Sequence, residues 1–345
     1  MRVHYALTRA VRASAGLTFA AAAVAIAWAW RVDARSAPHT GVLVCVWTAA
    51  GAAVARAALL WIRRLHGGRW ARAMAAEYAG VSLEKGPPDD PRAIWGAYAA
   101  PWDDEWWVRT RQVGRNLLFV AAAVTVPFVL GLAGPESRQV AALQLAGAEV
   151  ATATVAEPPR VVRKEYDDDS GRVVGYYTEL SVSVPGSHAR LAVGPVWTKE
   201  PQRAGQRIAV LWAPSDPGLG GYAASPAELH RLAKGEQTVD MQSAPIGEDV
   251  WRMAGGIYGL VMLPWVFIFA LGIDDDDLCE ISWSPMTQTV HALFALSVAY
   301  GITPALSGRA APGGLQGLCA TASWFVLPLL IFTPVFRMIR ENWRN

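Results

Sequence analysis

The residues that could do chemistry in this chain are few and scattered. Asp274, Asp275, Asp276 and Asp277 form the densest carboxylate cluster. Oxygen ligands of this kind hold hard cations, but a calcium loop needs spaced ligands and a turn glycine, both absent here. The four acids also follow an apolar helical segment, at the end where cations are favoured. They read as a solvated acidic loop. Arg56 stands inside an apolar run. A charge at membrane depth is a functional candidate by default. Its alternative is to snorkel toward headgroups at the end of the run, about six residues on. His188, His230 and His291 are isolated, and no Ser or Cys nucleophile has a recognisable elbow or base partner. Cys45, Cys279 and Cys319 form no CxxC or Cys/His cluster. The residue types therefore assign no catalytic, cofactor-binding or metal-ligating residue. They leave Arg56 and Asp274, Asp275, Asp276 and Asp277 as candidates of unassigned role and point away from an enzyme.

These residues are positioned by six apolar segments, at about 14–30, 40–62, 117–133, 253–273, 290–306 and 315–336. Each approaches the roughly 20 apolar residues a helix needs to cross a hydrocarbon core. The first follows Arg2, Arg9 and Arg12, in the manner of a signal peptide. Its apolar run is long for one, and the next segment begins within about ten residues, so it reads as a retained helix. Pro127, Pro264, Pro304, Pro328 and Pro334 fall in or near these runs. Membrane helices tolerate them where neighbours satisfy the freed carbonyls. The 16 tryptophans suit the bilayer interface, where an indole keeps its ring in apolar surroundings and its N–H wet. A net charge of +2 with no concentrated basic face excludes a nucleic-acid partner.

Lys and Arg near the segment ends set orientation. The N-terminal tail, the ends of loop 63–116 and the C-terminal tail are basic. Alternating helices place these three in the cytoplasm and the insert 135–250 outside. In loop 63–116, residues 66–79 read as a short amphipathic helix on the bilayer. Trp95, Tyr98, Trp102, Trp106 and Trp107 read as a belt that seats the loop at the headgroups.

The insert changes period. Residues 149–155 read as a strand, and residues 173–184 alternate with Leu180, Val182 and Val184 on one face. Residues 190–196 and 207–212 are further strands, and the alternating pattern as a whole covers about 140–213. Residues 168–171 signal a turn. Short strands with frequent turns predict a small antiparallel sheet or barrel, and since none of the three cysteines lies in the insert no disulfide framework is expected there. Ser225, Pro226 and Glu228 match a capping box that starts a short helix, 226–234, stopped by Gly235. Residues 236–248 read as a linker to the membrane.

Gly147-Ala148-Glu149-Val150-Ala151-Thr152-Ala153-Thr154-Val155, Tyr176-Tyr177-Thr178-Glu179-Leu180-Ser181-Val182, Gly205-Gln206-Arg207-Ile208-Ala209-Val210-Leu211-Trp212 and Pro214-Ser215-Asp216-Pro217 carry a resemblance. Over roughly residues 145–220 the chain resembles the bacterial membrane-protein family catalogued as domain of unknown function 3592. Trp212-Ala213-Pro214 stands where that family has an aromatic–acidic–Pro turn. The resemblance implies a β-domain between transmembrane helices in a bacterial plasma membrane, and no activity.

The expected architecture is a membrane α-helical protein of about six transmembrane helices with an inserted small antiparallel β-domain. Segments 1–3 fall in residues 1–134, the extracytoplasmic β-domain in 135–250, and segments 4–6 in 251–345. The leading functional expectation is a non-enzymatic binding or scaffolding protein of the cell envelope. Besides the lipid bilayer, its β-domain would meet a partner protein or a second copy. The alternative is a small transporter or channel component using Arg56 and Pro304, although segments 1–3 and 4–6 show no internal repeat of the kind many transporters carry. A membrane enzyme comes third. No cofactor is implied.

The orientation is testable. In intact cells, a Ser187→Cys variant should react with a membrane-impermeant thiol reagent, and a Ser82→Cys variant should not. The reverse pattern would invert the assignment.

Overall fold

The structure is a computed structural model that describes residues 2–78, 105–167, 170–186, 190–236, 248–273, 278, 281–309 and 314–332. The expectations for Asp274, Asp275, Asp276, Asp277, Trp95, Tyr98 and Trp102 fall outside those residues, as does most of the linker 236–248. The chain divides into two compact units, one of residues 1–32, 38–130 and 245–345, the other of residues 33–37 and 131–244.

The first unit is helical: α1 (Arg2–Ala29), α2 (Thr40–Tyr78), α3 (Glu105–Leu132), α6 (Glu248–Leu271), α7 (Pro285–Leu306) and α8 (Gly314–Ile331). Among the described residues, four helices are long and apolar enough to cross a membrane: Ala6–Ala29, Thr40–His66, Trp106–Leu132 and Pro285–Leu306. The fourth and sixth apolar segments form α6 and α8. Two sequence expectations are corrected here. The amphipathic stretch 66–79 is not a separate helix, because α2 runs unbroken to Tyr78. The third membrane helix begins at Glu105, not near residue 117. Hydropathy alone drops its polar first turns, while 3.6-residue periodicity keeps them.

Close helix packing runs from α1 to α2, from α2 to α7 and from α7 to α8. Small residues permit it: Ala53, Ala57 and Ala292 form a buried contact between α2 and α7. Gly301 of α7 lies so close to α8 that a Cβ there would sit 2.7 Å from the Ala320 backbone nitrogen. In lipid, helices associate through such close approach and through polar links, since hydrocarbon gives no hydrophobic drive. The links here are largely indoles. Trp47 Nε1 donates to Thr303 Oγ1 at 3.1 Å. Trp61 Nε1 donates to Thr289 Oγ1, also at 3.1 Å. Ser323 Oγ on α8 donates to Ser297 Oγ on α7 at 2.9 Å. Tryptophans expected as interface anchors thus also pin helix to helix.

Helix α3 joins this layer through side chains. Trp30, just past the end of α1, donates to Thr125 Oγ1 at 3.0 Å and stacks on Phe128. Trp324 of α8 donates to the Ala123 carbonyl at 2.9 Å. Val120, Val266 and Ile331 bury one contact of α3 with α6 and α8.

The second unit contains α4 (Pro135–Leu145), β1 (Glu149–Val155), β2 (Arg160–Tyr166), β3 (Val173–Ser183), β4 (Arg190–Thr198), β5 (Arg207–Trp212), β6 (Gly221–Tyr222) and α5 (Pro226–Ala233). The sheet order is β1-β5-β6-β4-β3-β2, and β1 also pairs with β3 through Thr154↔Ser183 and Val155↔Val182. Strands β1, β5, β6, β4 and β3 therefore close into a barrel. Strand β2 continues along the edge of β3 that β1 has left, from Arg160↔Glu179 to Tyr166↔Val173. Closure reduces the free edge that makes an open sheet prone to pairing with other chains, leaving the outer edge of β2.

Alternation fills the barrel. Ala153, Val155, Leu180, Val182, Val184, Leu191, Val193, Val210 and Trp212 form one buried cluster. Strand β5 is apolar on both faces because its other side carries helices. Leu211 and Ala213 pack with Val140 and Leu143 of α4 and Leu229 and Leu232 of α5. Each fully buried leucine contributes about 1.5–3 kcal/mol. Helix α4 corrects the expectation of strand pattern from residue 140: it starts with Pro at its first turn after Gly134, a helix-start signal. Gln144 Nε2 ties it to α5 by donating to the Leu232 carbonyl at 2.8 Å. Helix α5 starts where expected, with the Ser225 hydroxyl accepting from the Glu228 N–H at 3.4 Å, and ends at Gly235, whose φ is 84°. In the segment 33–37, the Asp33 carboxylate accepts from the Arg35 and Ser36 backbone N–H groups and pairs with the Arg35 guanidinium at 2.8 Å. Burial pushes this carboxyl up, but the Arg35 hydrogen bond and charge, with the backbone donors, more than offset it and hold it below its usual value.

Two glycine substitutions separate close packing from helix propensity. Gly301→Ala should lower thermal stability in detergent by about 1–3 kcal/mol, because the new methyl meets α8 backbone. At Gly51 of α2 an added Cβ meets nothing within 4 Å, so Gly51→Ala should raise it, by up to about 1 kcal/mol. Equal effects at both positions would contradict the packing described.

Candidate functional site

Within the helical unit, α1, α2, α3, α7 and the residues just before α7 line a half-open cavity of about 780 Å³. This lies within the 300–1,000 Å³ usual for small-molecule sites. Its polar residues come from specific helix faces. Gln112, Arg115 and Phe119 line it from α3, and the buried Asn116, which is not in the lining, continues their stripe at i, i+3, i+4 and i+7. Gln288 and His291 fall three apart on α7. Arg56 enters from α2 and Arg12 from α1.

The hydrogen bonding of this cluster is incomplete. Arg56 Nη2 donates to the Ser282 carbonyl at 2.9 Å, while its Nε is buried with no partner. Arg115 is 7% exposed, and both its Nε and its Nη2 are buried without a hydrogen-bond acceptor. Its cation lies 5.9 Å from the centre of the Phe119 ring, a weak aromatic contact. The Gln112 side-chain nitrogen, both polar atoms of the Asn116 amide and His291 Nε2 are likewise buried and unpartnered. His291 leans against Phe119, ring centres 5.6 Å apart. Four arginines and no Asp or Glu stand among the described residues lining the cavity. A guanidinium stays protonated, so these groups keep their charge.

Buried polar groups in proteins are overwhelmingly hydrogen-bonded, and each exception needs a reason. An unpaired charge is the costliest exception. Among the described residues the unpartnered atoms that line the cavity are mostly cationic or amide N–H groups, Arg56 Nε, Arg115 Nε and Nη2 and Gln112 Nε2. N–H groups of this kind, held in low dielectric, can form charge-assisted bonds to an oxyanion.

Of the sequence-derived candidates, Arg56 lines this cavity. His291, which sequence alone left isolated, is brought to it. Arg115 was read only as a basic loop flank. The signal that finds it is the polar stripe Gln112, Arg115, Asn116 and Phe119, visible once the helix is begun at residue 105. Arg63 and Arg64, also read as flank charges, lie over the Trp283 and Trp61 rings respectively. Cys45 and Cys319 are free thiols. No protein family, curated protein or solved structure matches the chain.

Replacing Arg115 by Met should stabilise the ligand-free protein in detergent by about 1–4 kcal/mol, the usual result when a buried ion gives way to an apolar residue of similar volume. Thermal unfolding of both forms measures it. A loss of stability for Arg115→Met would mean that the charge is already compensated.

Proposed function

We propose that this is a multi-pass protein of the bacterial plasma membrane that binds an anionic ligand within its helical unit and does not transform it. One observation carries the reading: the buried Arg115 guanidinium, with two nitrogens lacking acceptors, faces a cavity whose described lining offers no carboxylate. Among the described residues lining the cavity no nucleophile stands beside an acid–base pair, which supports binding over catalysis.

Six spans, cytoplasmic termini and an extracytoplasmic barrel remain the proposed topology. The helices at all six apolar segments support it. So does the grouping of residues 33–37, which join α1 to α2, with residues 131–244 in one compact unit. The closed barrel between helices fits the resemblance to the family catalogued as domain of unknown function 3592. It would serve as the module that meets an envelope partner or a second copy, and exposed Val161, Val162 and Tyr166 on β2 support such a role. Movement of the anion across the membrane is a second reading. The cavity lining on α3 runs from Trp107 to Val129, about 33 Å at 1.5 Å per residue, which favours it.

Binding is tested by thermal unfolding of the full chain in an uncharged maltoside detergent. Phosphatidylglycerol should stabilise the protein, by about 2.7 kcal/mol at a hundredfold excess over its Kd. Phosphatidylcholine should not, and Arg115→Gln should remove the difference. If both lipids act alike, or Arg115→Gln changes nothing, anion binding fails. If residues 274–277 already neutralised the arginines, no anion would bind until Asp274, Asp275, Asp276 and Asp277 were changed to Asn. That result would also overturn the reading.

A further inference from the structure

We propose that the ligand is an anionic amphiphile, its oxyanion headgroup held by Arg56, Gln112 and Arg115 and its hydrocarbon chain laid along the apolar remainder of the same cavity. This rests on the anion-binding reading above and specifies its ligand class.

The cavity is sorted by polarity along its length. On α3 the polar lining residues lie between Thr110 and Arg115, followed by Leu118, Phe119, Ala122, Val126 and Val129 with a single Thr125. Helix α2 runs the opposite way and repeats the order in reverse: Arg56 comes last, after Val42, Val46, Ala49, Ala50 and Ala53. On α7 Gln288 and His291 precede Phe294, Ala295, Val298 and Ile302. Helix α1 has Arg12 before Phe19, Ala22 and Ile26. Three helices running one way and α2 running the other thus put their polar residues toward one end and their apolar residues toward the other. From Arg115 to Val129 the apolar stretch covers fourteen residues of helix, about 21 Å.

A free inorganic anion satisfies only one end of such a space. The apolar end would stay dry, because water needs polar partners that its walls do not offer. A hydrocarbon chain of about a dozen or more carbons matches the length and chemistry of that stretch. At the polar end, guanidinium groups match phosphate or carboxylate oxygens in bidentate fashion. The Gln112 amide nitrogen adds a neutral donor with no partner of its own. Small side chains at Ala22, Ala49 and Ala122 keep the stretch open.

The probe is dodecyl phosphate, compared with methyl phosphate, inorganic phosphate and dodecyltrimethylammonium, on the full chain in maltoside, with affinities read by native mass spectrometry and thermal shift. Dodecyl phosphate should bind at least tenfold more tightly than methyl or inorganic phosphate. Arg115→Gln should weaken it at least tenfold. Ala122→Phe, which plugs the apolar stretch, should weaken dodecyl phosphate at least tenfold and leave methyl phosphate unchanged, which also shows that the variant is folded. A series from butyl to dodecyl phosphate on the unmodified chain gives the same information without any substitution, and affinity should rise along it. If methyl, inorganic and dodecyl phosphate bind alike and Ala122→Phe has no effect, the ligand is a free oxyanion. The amphiphile inference then falls while anion binding stands. If dodecyltrimethylammonium binds as well as dodecyl phosphate and Arg115→Gln is neutral, both fall together.

Discussion

An arginine cannot discard its proton to escape a low-dielectric interior. Lysine and histidine can neutralise when buried, and carboxylates can protonate, but a guanidinium must be given acceptors or carry the cost of their absence. The helical unit is arranged around that constraint. Arg115 is buried on α3 and Arg56 on α2; Arg56 Nη2 donates to the Ser282 carbonyl, while Arg56 Nε and Arg115 Nε and Nη2 are buried with no acceptor. A protein selected for stability alone would place methionine or leucine at Arg115. Strain of this kind persists where function requires it.

The stand-off of α3 creates the space those arginines face. Helices α1, α2, α7 and α8 pack closely on small residues, whereas α3 is reached by long side chains: Trp30 with Thr125 and Phe128, Trp324 with the Ala123 carbonyl, Phe119 with His291 and Phe294. Large side chains act as spacers as well as links. The barrel unit follows the opposite logic. Its interior is filled by alternating aliphatic side chains, and its polar surface is left to the strands' other faces and to β2.

Much of the barrel was legible in the sequence. The limits of β1 and β5 match the alternating runs at 149–155 and 207–212, and Leu180, Val182 and Val184 face inward as period two requires. Strand β2 was not legible. Arg160, Val161, Val162, Arg163 and Lys164 are all exposed, so no face is selected by burial and no pattern is written into the residues. Helix α4 was hidden by its closeness to a membrane helix that had just ended. The cavity was half legible. Arg56 announced itself because it interrupts an apolar run, but Arg115 sits among polar neighbours where a hydropathy reading sees only a flank. What no single-segment reading supplies is which stripes face each other, since Gln112 and Arg115 meet His291 only through tertiary packing.

The two indole links between α2 and α7 have a mechanical consequence. Trp47 and Trp61 are fourteen residues apart, and so are their partners Thr303 and Thr289, read in the antiparallel sense. The pair works as a vernier. Sliding one helix by a turn, about 5.4 Å, would take both hydroxyls out of reach and break both indole hydrogen bonds at once. The antiparallel helices therefore have one low-energy alignment, and the height of Arg56 relative to Gln288 and His291 is set by two threonines that never touch the cavity's polar end.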